Sequence, residues 1–215
     1  WQNISNYATR AVPGLRSMFT VGDASTSGQV FDSVSFRGMQ IASDDRMLPD
    51  SQRGYAPVVR GVAETNAKVE IKQNGYVIYQ TTVAPGPFEI NDLFPTGYGG
   101  DLDVNVTEAD GRVRRFTVAY AAVPLSLRPG VTRYSLTVGK VRDTSLHTKP
   151  TIFQGVAQHG LNNLLTAYGG VLYAENYYAL TPGVALNTRL GAIGLDMTHA
   201  RARIANLPEQ TGQSL

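Results

Sequence analysis

Residues 43–57 read SDDRMLPDSQRGYAP, and this stretch decides how the rest of the chain divides. On both sides of it, apolar and polar residues alternate with the period of a strand. Within it stand Asp44, Asp45, Arg46, Asp50 and Arg53, with Pro49, Gly54 and Pro57. The prolines fix φ and remove donors that a continuing sheet would need. Gly54 supplies freedom where the chain must turn. The stretch is either an ordinary surface loop or the seam where one folded unit is set into another.

The unit that follows, Tyr55 to Leu127, is the clearest in the chain. In Ala67-Lys68-Val69-Glu70-Ile71-Lys72 the apolar residues share one face. Asn74-Gly75 then gives the strongest short hairpin signal, because both central residues of a type I′ turn need positive φ. A two-residue loop pairs Gln73 with Tyr76 and, counted outward, sets Ile71 opposite Ile78. A second hairpin joins Leu102–Val106 to Arg112–Tyr120 through Ala109-Asp110-Gly111. A type I turn with Gly111 left-handed predicts Val104 opposite Phe116 and Leu102 opposite Val118. Pro85-Gly86-Pro87-Phe88 is a bend into a short strand. About six strands with regular turns predict a small antiparallel sandwich. Residues 55–127 hold eight acidic and six basic side chains.

The flanks also alternate, so the chain reads as all-β. Tyr134, Leu136 and Val138 alternate with Arg133, Ser135 and Thr137; Ile193, Leu195 and Met197 alternate with Gly194, Asp196 and Thr198. Leu15, Phe19 and Val21 oppose Arg16, Met18 and Thr20. After Phe36 the phase changes to Met39 and Ile41, which predicts a bulge at Gly38. The second face is small or polar, as at Gln154, Gln158, Gly169 and Gly170. One apolar and one wet face suit a lipid-facing barrel. On alternation alone, a soluble sandwich with an exposed sheet face is the better reading.

Bulk composition excludes several classes. The 215 residues suffice for one large domain or two small ones. Net charge is +2 and the basic residues are scattered, so no nucleic-acid surface is indicated. There is no cysteine, hence no disulfide and no thiol chemistry. No run is apolar enough for a membrane helix, which leaves barrel strands open. The chain opens on Trp1 and ends Gly212-Gln213-Ser214-Leu215, and we read it as a piece of something longer.

Catalytic chemistry is poorly supplied. His147, His159 and His199 are isolated, without neighbours at metal-ligand spacing. Asp44, Asp45 and Asp50 lack the ligand spacing of a calcium loop and read as a solvated linker. Asp101 and Asp103 share a face, as an acid/base pair would, or form the wet face of an edge strand. Gly97-Tyr98-Gly99-Gly100 lacks the Lys-Ser/Thr of a phosphate loop. Asn105-Val106-Thr107 matches a glycosylation acceptor by accident.

Several stretches together resemble one family, the outer-membrane ushers of the chaperone–usher pathway, which assemble pili and fimbriae. They are Phe36-Arg37-Gly38-Met39-Gln40-Ile41-Ala42-Ser43-Asp44-Asp45, Met47 to Pro57, Ile71-Lys72-Gln73-Asn74-Gly75-Tyr76, Pro85-Gly86-Pro87-Phe88, Asn91-Asp92-Leu93 and Glu108-Ala109-Asp110-Gly111. The resemblance covers nearly the whole chain and is densest from Phe31 to Asp143.

It implies a small antiparallel β-sandwich plug inserted between strands of a transmembrane β-barrel. Residues 1–54 would be barrel strands and a leading linker, 55–127 the plug, and 128–215 a trailing linker and further barrel strands. Pro124 to Gly130 would carry the chain back, with Arg128, Pro129 and Gly130 at its end. Asp44, Asp45, Arg46 and Arg53 are expected to form lumen ion pairs that hold the plug closed, each worth roughly 0–1 kcal/mol. Pro49, Asp50 and Gly54 complete the candidate gating residues. The implied location is the outer membrane, with the plug in the lumen or facing the periplasm. The implied partners are periplasmic chaperone–pilus subunit complexes, outer-membrane lipid and the other domains of the same usher. A homodimer is left open, and no cofactor or nucleic acid is called for. The competing reading is a soluble all-β binding module, an adhesin or carbohydrate-binding sandwich, with Tyr98, Tyr177 and Tyr178 as stacking platforms. A hydrolase would need a clustered acid/base pair.

Overall fold

The structure is a computed structural model that describes residues 5–96, 100–143, 149–188, 190–203 and 210–214. Trp1, Gly97, Tyr98, Gly99, His147 and Leu215 lie outside the described residues. The described chain is all-β and antiparallel apart from three one-turn 3-10 segments.

Ten strands form one sheet: β1 (Tyr7–Val12), β2 (Ser17–Ser25), β3 (Ser35–Ser43), and, after a gap in sequence, β10 (Thr132–Val141), β11 (Thr151–Gly160), β12 (Leu165–Ala174), β13 (Tyr177–Thr188), β14 (Gly191–Asp196), β15 (Thr198–Ala202) and β16 (Gln210–Ser214). Six strands fill the gap: β4 (Val59–Ala63), β5 (Ala67–Gln73), β6 (Tyr76–Val83), β7 (Gly86–Ile90), β8 (Leu102–Thr107) and β9 (Val113–Val118). They pair only among themselves, as β4–β7 and as β6–β5–β8–β9. Across the gap, β3 pairs directly with β10, from Ala42 opposite Ser135 to Phe36 opposite Val141.

The two small sheets enclose a core in which Val69, Ile71, Leu102, Val104 and Val106 are fully buried. Each such side chain contributes about 1.5–3 kcal/mol of transfer free energy. Asn74 (φ 51°) and Gly75 (φ 84°) adopt the left-handed pair expected of a type I′ turn. Gln73 pairs with Tyr76, but a bulge between Ile71 and Lys72 places Ile71 opposite Tyr79 rather than Ile78. Two adjacent apolar residues, Ile78 and Tyr79, leave the register open to this slip. The second hairpin has the expected pairing, Val104 with Phe116 and Leu102 with Val118, and Gly111 has φ 86°. Strand β8 lies between β5 and β9, so Asp103 is on the wet face of a central strand, not of an edge. Asp101 accepts the Tyr120 amide at 3.2 Å.

The large sheet inverts the usual burial. The face carrying Leu136, Val138, Met39 and Leu180 is exposed, with Met39 at 57% and Leu180 at 54%. The face carrying Thr137, Gln154, Thr166, Thr181 and Asn187 is buried, none above 4%. Part of its cover is the β2–β3 loop. The Gln158 side-chain amide donates to Gln29 at 3.2 Å, and a Cβ on Gly170 would meet the Phe31 ring at 2.5 Å.

No bulge occurs at Gly38, because β3 keeps unbroken register against both β2 and β10. The change of pattern has another cause. Phe36 lies on the buried face, while Arg37 ends the apolar face in an ion pair with Asp23. Opposite β13, strands β14 and β15 share one register: Gly183 pairs with Asp196 and Leu180 with His199. The break between them faces Pro182, which has no amide to donate.

Candidate functional site

The gap strands are joined to the large sheet by two linkers, 44–58 and 119–131. In the leading linker, charged residues pair mostly with each other. Asp44 accepts the Arg46 amide at 3.0 Å and the Arg46 guanidinium at 2.7–3.1 Å. These bonds, the guanidinium foremost, hold the Asp44 carboxyl below its usual range. Arg46 itself is largely exposed. Asp50 and Arg53 form an i,i+3 ion pair at 2.7 Å. Arg53 also donates to the carbonyls of Leu48 (3.0 Å) and Arg46 (2.9 Å). Pro49 starts the 3-10 turn Asp50–Gln52 and accepts the Gln52 amide at 2.8 Å. Of the four residues expected to make lumen ion pairs, only Asp45 pairs with a strand of the large sheet. It takes a two-point contact from Arg133 of β10, one arm at 3.0 Å.

Arg128 is the centre of the junction. It is 4% exposed, and its guanidinium donates to four backbone carbonyls: Ser51 (2.6 Å), Leu93 (2.7 Å), Gly54 (3.0 Å) and Asn91 (3.1 Å). A guanidinium carries five N–H donors in a rigid fork, so one side chain gathers the leading linker, the loop after β7 and the trailing linker. Burial pushes its pKa down, but it stays charged at any physiological pH. Gly54 holds φ 81° where its carbonyl turns to Arg128. After Pro129, the Gly130 amide donates to the Gly160 carbonyl at 2.7 Å, with Gly130 at φ 77°. A Cβ on Gly160 would lie 2.1 Å from the Arg128 carbonyl oxygen.

The large-sheet side of the junction is made by three residues that the sequence reading did not single out. Asn163, in the β11–β12 turn, accepts the Val58 amide at 2.9 Å and donates to the Val58 carbonyl at 2.7 Å, as a strand neighbour would. Its own carbonyl accepts the Tyr55 hydroxyl at 2.8 Å. The Thr166 hydroxyl accepts the Leu127 amide at 3.0 Å, and Asn187 accepts the Ser126 hydroxyl at 2.9 Å. Asn163 reads as an ordinary turn residue. Thr166 and Asn187 read as members of the polar face, and no local signal separates them from Gln154. Burial raises the Tyr55 hydroxyl pKa, and its ring lies beside Tyr120 at 5.9 Å. Tyr120 in turn donates to the Tyr55 carbonyl at 3.0 Å and accepts the Thr96 amide at 3.2 Å. The two ends of the gap unit are thereby clasped together.

The other sequence candidates are dispersed. His159 contacts the Thr132 hydroxyl at 2.7 Å, and His199 lies beside the Tyr178 ring. Tyr177 and Tyr178 line one small pocket with Arg201 and Arg203, and neither Asp101 nor Asp103 is part of it.

The sequence model of the family described as "outer membrane usher protein" matches residues 1–215. The chain belongs to the outer membrane usher family. It is 47% identical over 214 residues to the outer membrane usher protein MrkC of Klebsiella pneumoniae. It is 48% identical over 217 residues to FimD of Escherichia coli K12. All of this chain is covered in both cases, but only 26% and 25% of those ushers. The chain thus spans about a quarter of the length of the curated relatives it matches. Among solved structures it is similar to the P pilus usher PapC translocation pore, at 38% identity and TM-score 0.56, over 98% of this chain and 43% of that one. It is also similar to a chain in the P pilus tip assembly intermediate PapC–PapD–PapK–PapG, at 40% identity and TM-score 0.66, over 96% of this chain and 26% of that one. The usher fold is therefore all-β here, and the family is one of outer-membrane transport and assembly.

Proposed function

We propose that this usher segment is part of the wall of an outer-membrane pore, with residues 55–127 as a plug that gates passage of pilus subunits. Residues 1–54 and 128–215 are then wall strands with the two linkers. The observation that carries the reading is the inverted large sheet. Its apolar side chains are exposed and its polar ones buried, which suits lipid outside and water or a plug inside. A soluble module would not leave so wide an apolar face uncovered.

The β3–β10 pairing supports the gating half of the reading. The wall closes behind the insertion, so the plug hangs on two linkers and is not itself part of the wall. Asp45, Asn163, Thr166 and Asn187 tie it to wall strands through exchangeable polar contacts, while Arg128 fixes the linkers to each other. Asp44, Arg46, Asp50 and Arg53 shape the leading linker by pairing within it. The relative PapC occurs in an assembly with PapD, PapK and PapG; by extension, chaperone-held subunits are the proposed cargo here. Nothing in such a passage requires a cofactor.

The test is ion conductance in planar bilayers of a full-length usher carrying this segment, with and without residues 55–127. A large rise in open current on deletion is expected. Equal currents would overturn the plug assignment, and the absence of any channel in both would overturn the wall assignment.

A further inference from the structure

The apolar face of the large sheet carries two features in line with each other. At one end, beyond a cross-strand row made of Val138, Phe153, Tyr173 and Tyr178, the polar residues begin. There Arg37 donates to Asp23 at 2.6 Å, and Arg142 reaches the same carboxylate at 3.3 Å. Lys140 stands directly opposite Arg37 and is exposed. Two guanidinium groups therefore share one carboxylate, with Lys140 across from Arg37 on the neighbouring strand. Arg142 and the next residue, Asp143, line a cavity together with Val141 and Ile152. An aromatic row backed by cations is the arrangement expected at the level of lipid headgroups.

Further along the same strands the face dips. Gly155, Ala157 and Gly169 are neighbours across β11 and β12 and leave a trough of about 590 Å³. Its walls are Tyr134, Leu136, Val171, Leu180 and Pro182. Leu136 precedes Lys140 on β10 by one cross-strand row beyond Val138, about 13 Å at 3.3 Å per residue. The spacing fits a headgroup at one end and an acyl chain at the other.

We propose that this face holds one anionic phospholipid, its phosphate on Arg37, Lys140 and Arg142 and one acyl chain in the trough over Gly155, Ala157 and Gly169. The inference rests on the wall reading above and goes beyond it, since bulk contact at a headgroup belt needs no trough in line with the cations. Charge complementarity commits the site to an anionic lipid rather than a second copy of the chain, which would meet its own cations across a twofold axis.

The test uses a full-length usher carrying this segment, recovered from outer membranes in detergent. Native mass spectrometry then follows titration with phosphatidylglycerol, with phosphatidylcholine of the same chains, and with inorganic phosphate. Preferential retention of phosphatidylglycerol is expected. Lys140→Gln should weaken it about fivefold, the effect of one cation at a membrane surface, and leave phosphatidylcholine unchanged. Ala157→Phe, which fills the trough from the outside, should reduce both lipids. Equal retention of the two lipids, full competition by inorganic phosphate, or an Ala157→Phe variant that changes oligomeric state while keeping phosphatidylglycerol would each overturn the site. A usher absent from the membrane fraction would overturn the wall reading as well, so the two failures are distinguishable.

Discussion

Arg128 and Asp45 offer opposite cases of what one charged residue does at a junction. Arg128 is buried, and its partners are four backbone carbonyls. Lysine places its three donors at one point and cannot span the fork. Arg128→Lys should leave at least one or two buried carbonyls unpartnered, at about 1–3 kcal/mol each. The expected result is faster trypsin cleavage at Arg53 and a higher resting conductance. Asp45→Asn, by contrast, weakens a partly exposed pair worth roughly 0–1 kcal/mol, and should alter neither by more than about fivefold. A glutamate within the plug adds a pH dependence. Glu108 accepts the amides of Glu64 and Thr65 and the Thr65 hydroxyl, which lower its pKa below 4.5. The folded form binds this proton less readily than the unfolded one, so the stabilisation is complete above about pH 4.5 and is lost as pH falls through the lowered value. Thermal melts between pH 7 and pH 3 should show the loss, and Glu108→Gln should remove that part of it. At this scale the linkers were legible, because Pro, Gly and charge interrupt the alternation. Their partners were not: Asn163 acts on Val58 from 105 positions away, a distance only strand order can close.

Among the elements, turn chemistry was more legible than register. Asn74-Gly75 and Asp110-Gly111 each dictate a hairpin, and both hairpins form there. The bulge between Ile71 and Lys72 was hidden because Ile78 and Tyr79 serve equally well as an apolar partner. The expected bulge at Gly38 failed for a related reason. A change in side-chain polarity along one face mimics a change of face. Gly38 has a different role, since a Cβ there would lie 2.1 Å from the Val138 carbonyl oxygen and 2.4 Å from the Gly139 Cα. Backbone atoms cannot yield as a side-chain tip can. Gly38→Ala should therefore push β3 away from β10 at the seam behind the insertion. The expected outcome is loss of the folded, heat-modifiable band in cold SDS electrophoresis of the full-length usher, with the plug's own melt unchanged.

For the molecule as a whole, alternation predicted strands but not which side of the large sheet is covered. Burial decides that, and burial depends on the loop 26–34 and the plug folding over the polar face. The self-contained pairing of β4–β9 leads to a further expectation. Residues 55–127 expressed alone should give a cooperative melt and a β-type circular dichroism spectrum. The flanks alone, with open edges at β1 and β16, should aggregate. An unfolded 55–127 would mean that Asn163, Thr166 and Asn187 stabilise the plug rather than merely hold it.

The seam between β3 and β10 also bears on the order in which the protein folds. Ser43 and Tyr134 bond to each other across 91 positions of chain. Closing so long a flexible loop is entropically costly, and each halving of the free length lowers the cost by about 0.6 kcal/mol. A finished sandwich, with Tyr120 hydrogen-bonded to Tyr55 at its two ends, removes most of that length before the strands meet. A sandwich that folds first would thus act as a splint, drawing β3 and β10 together for zippering.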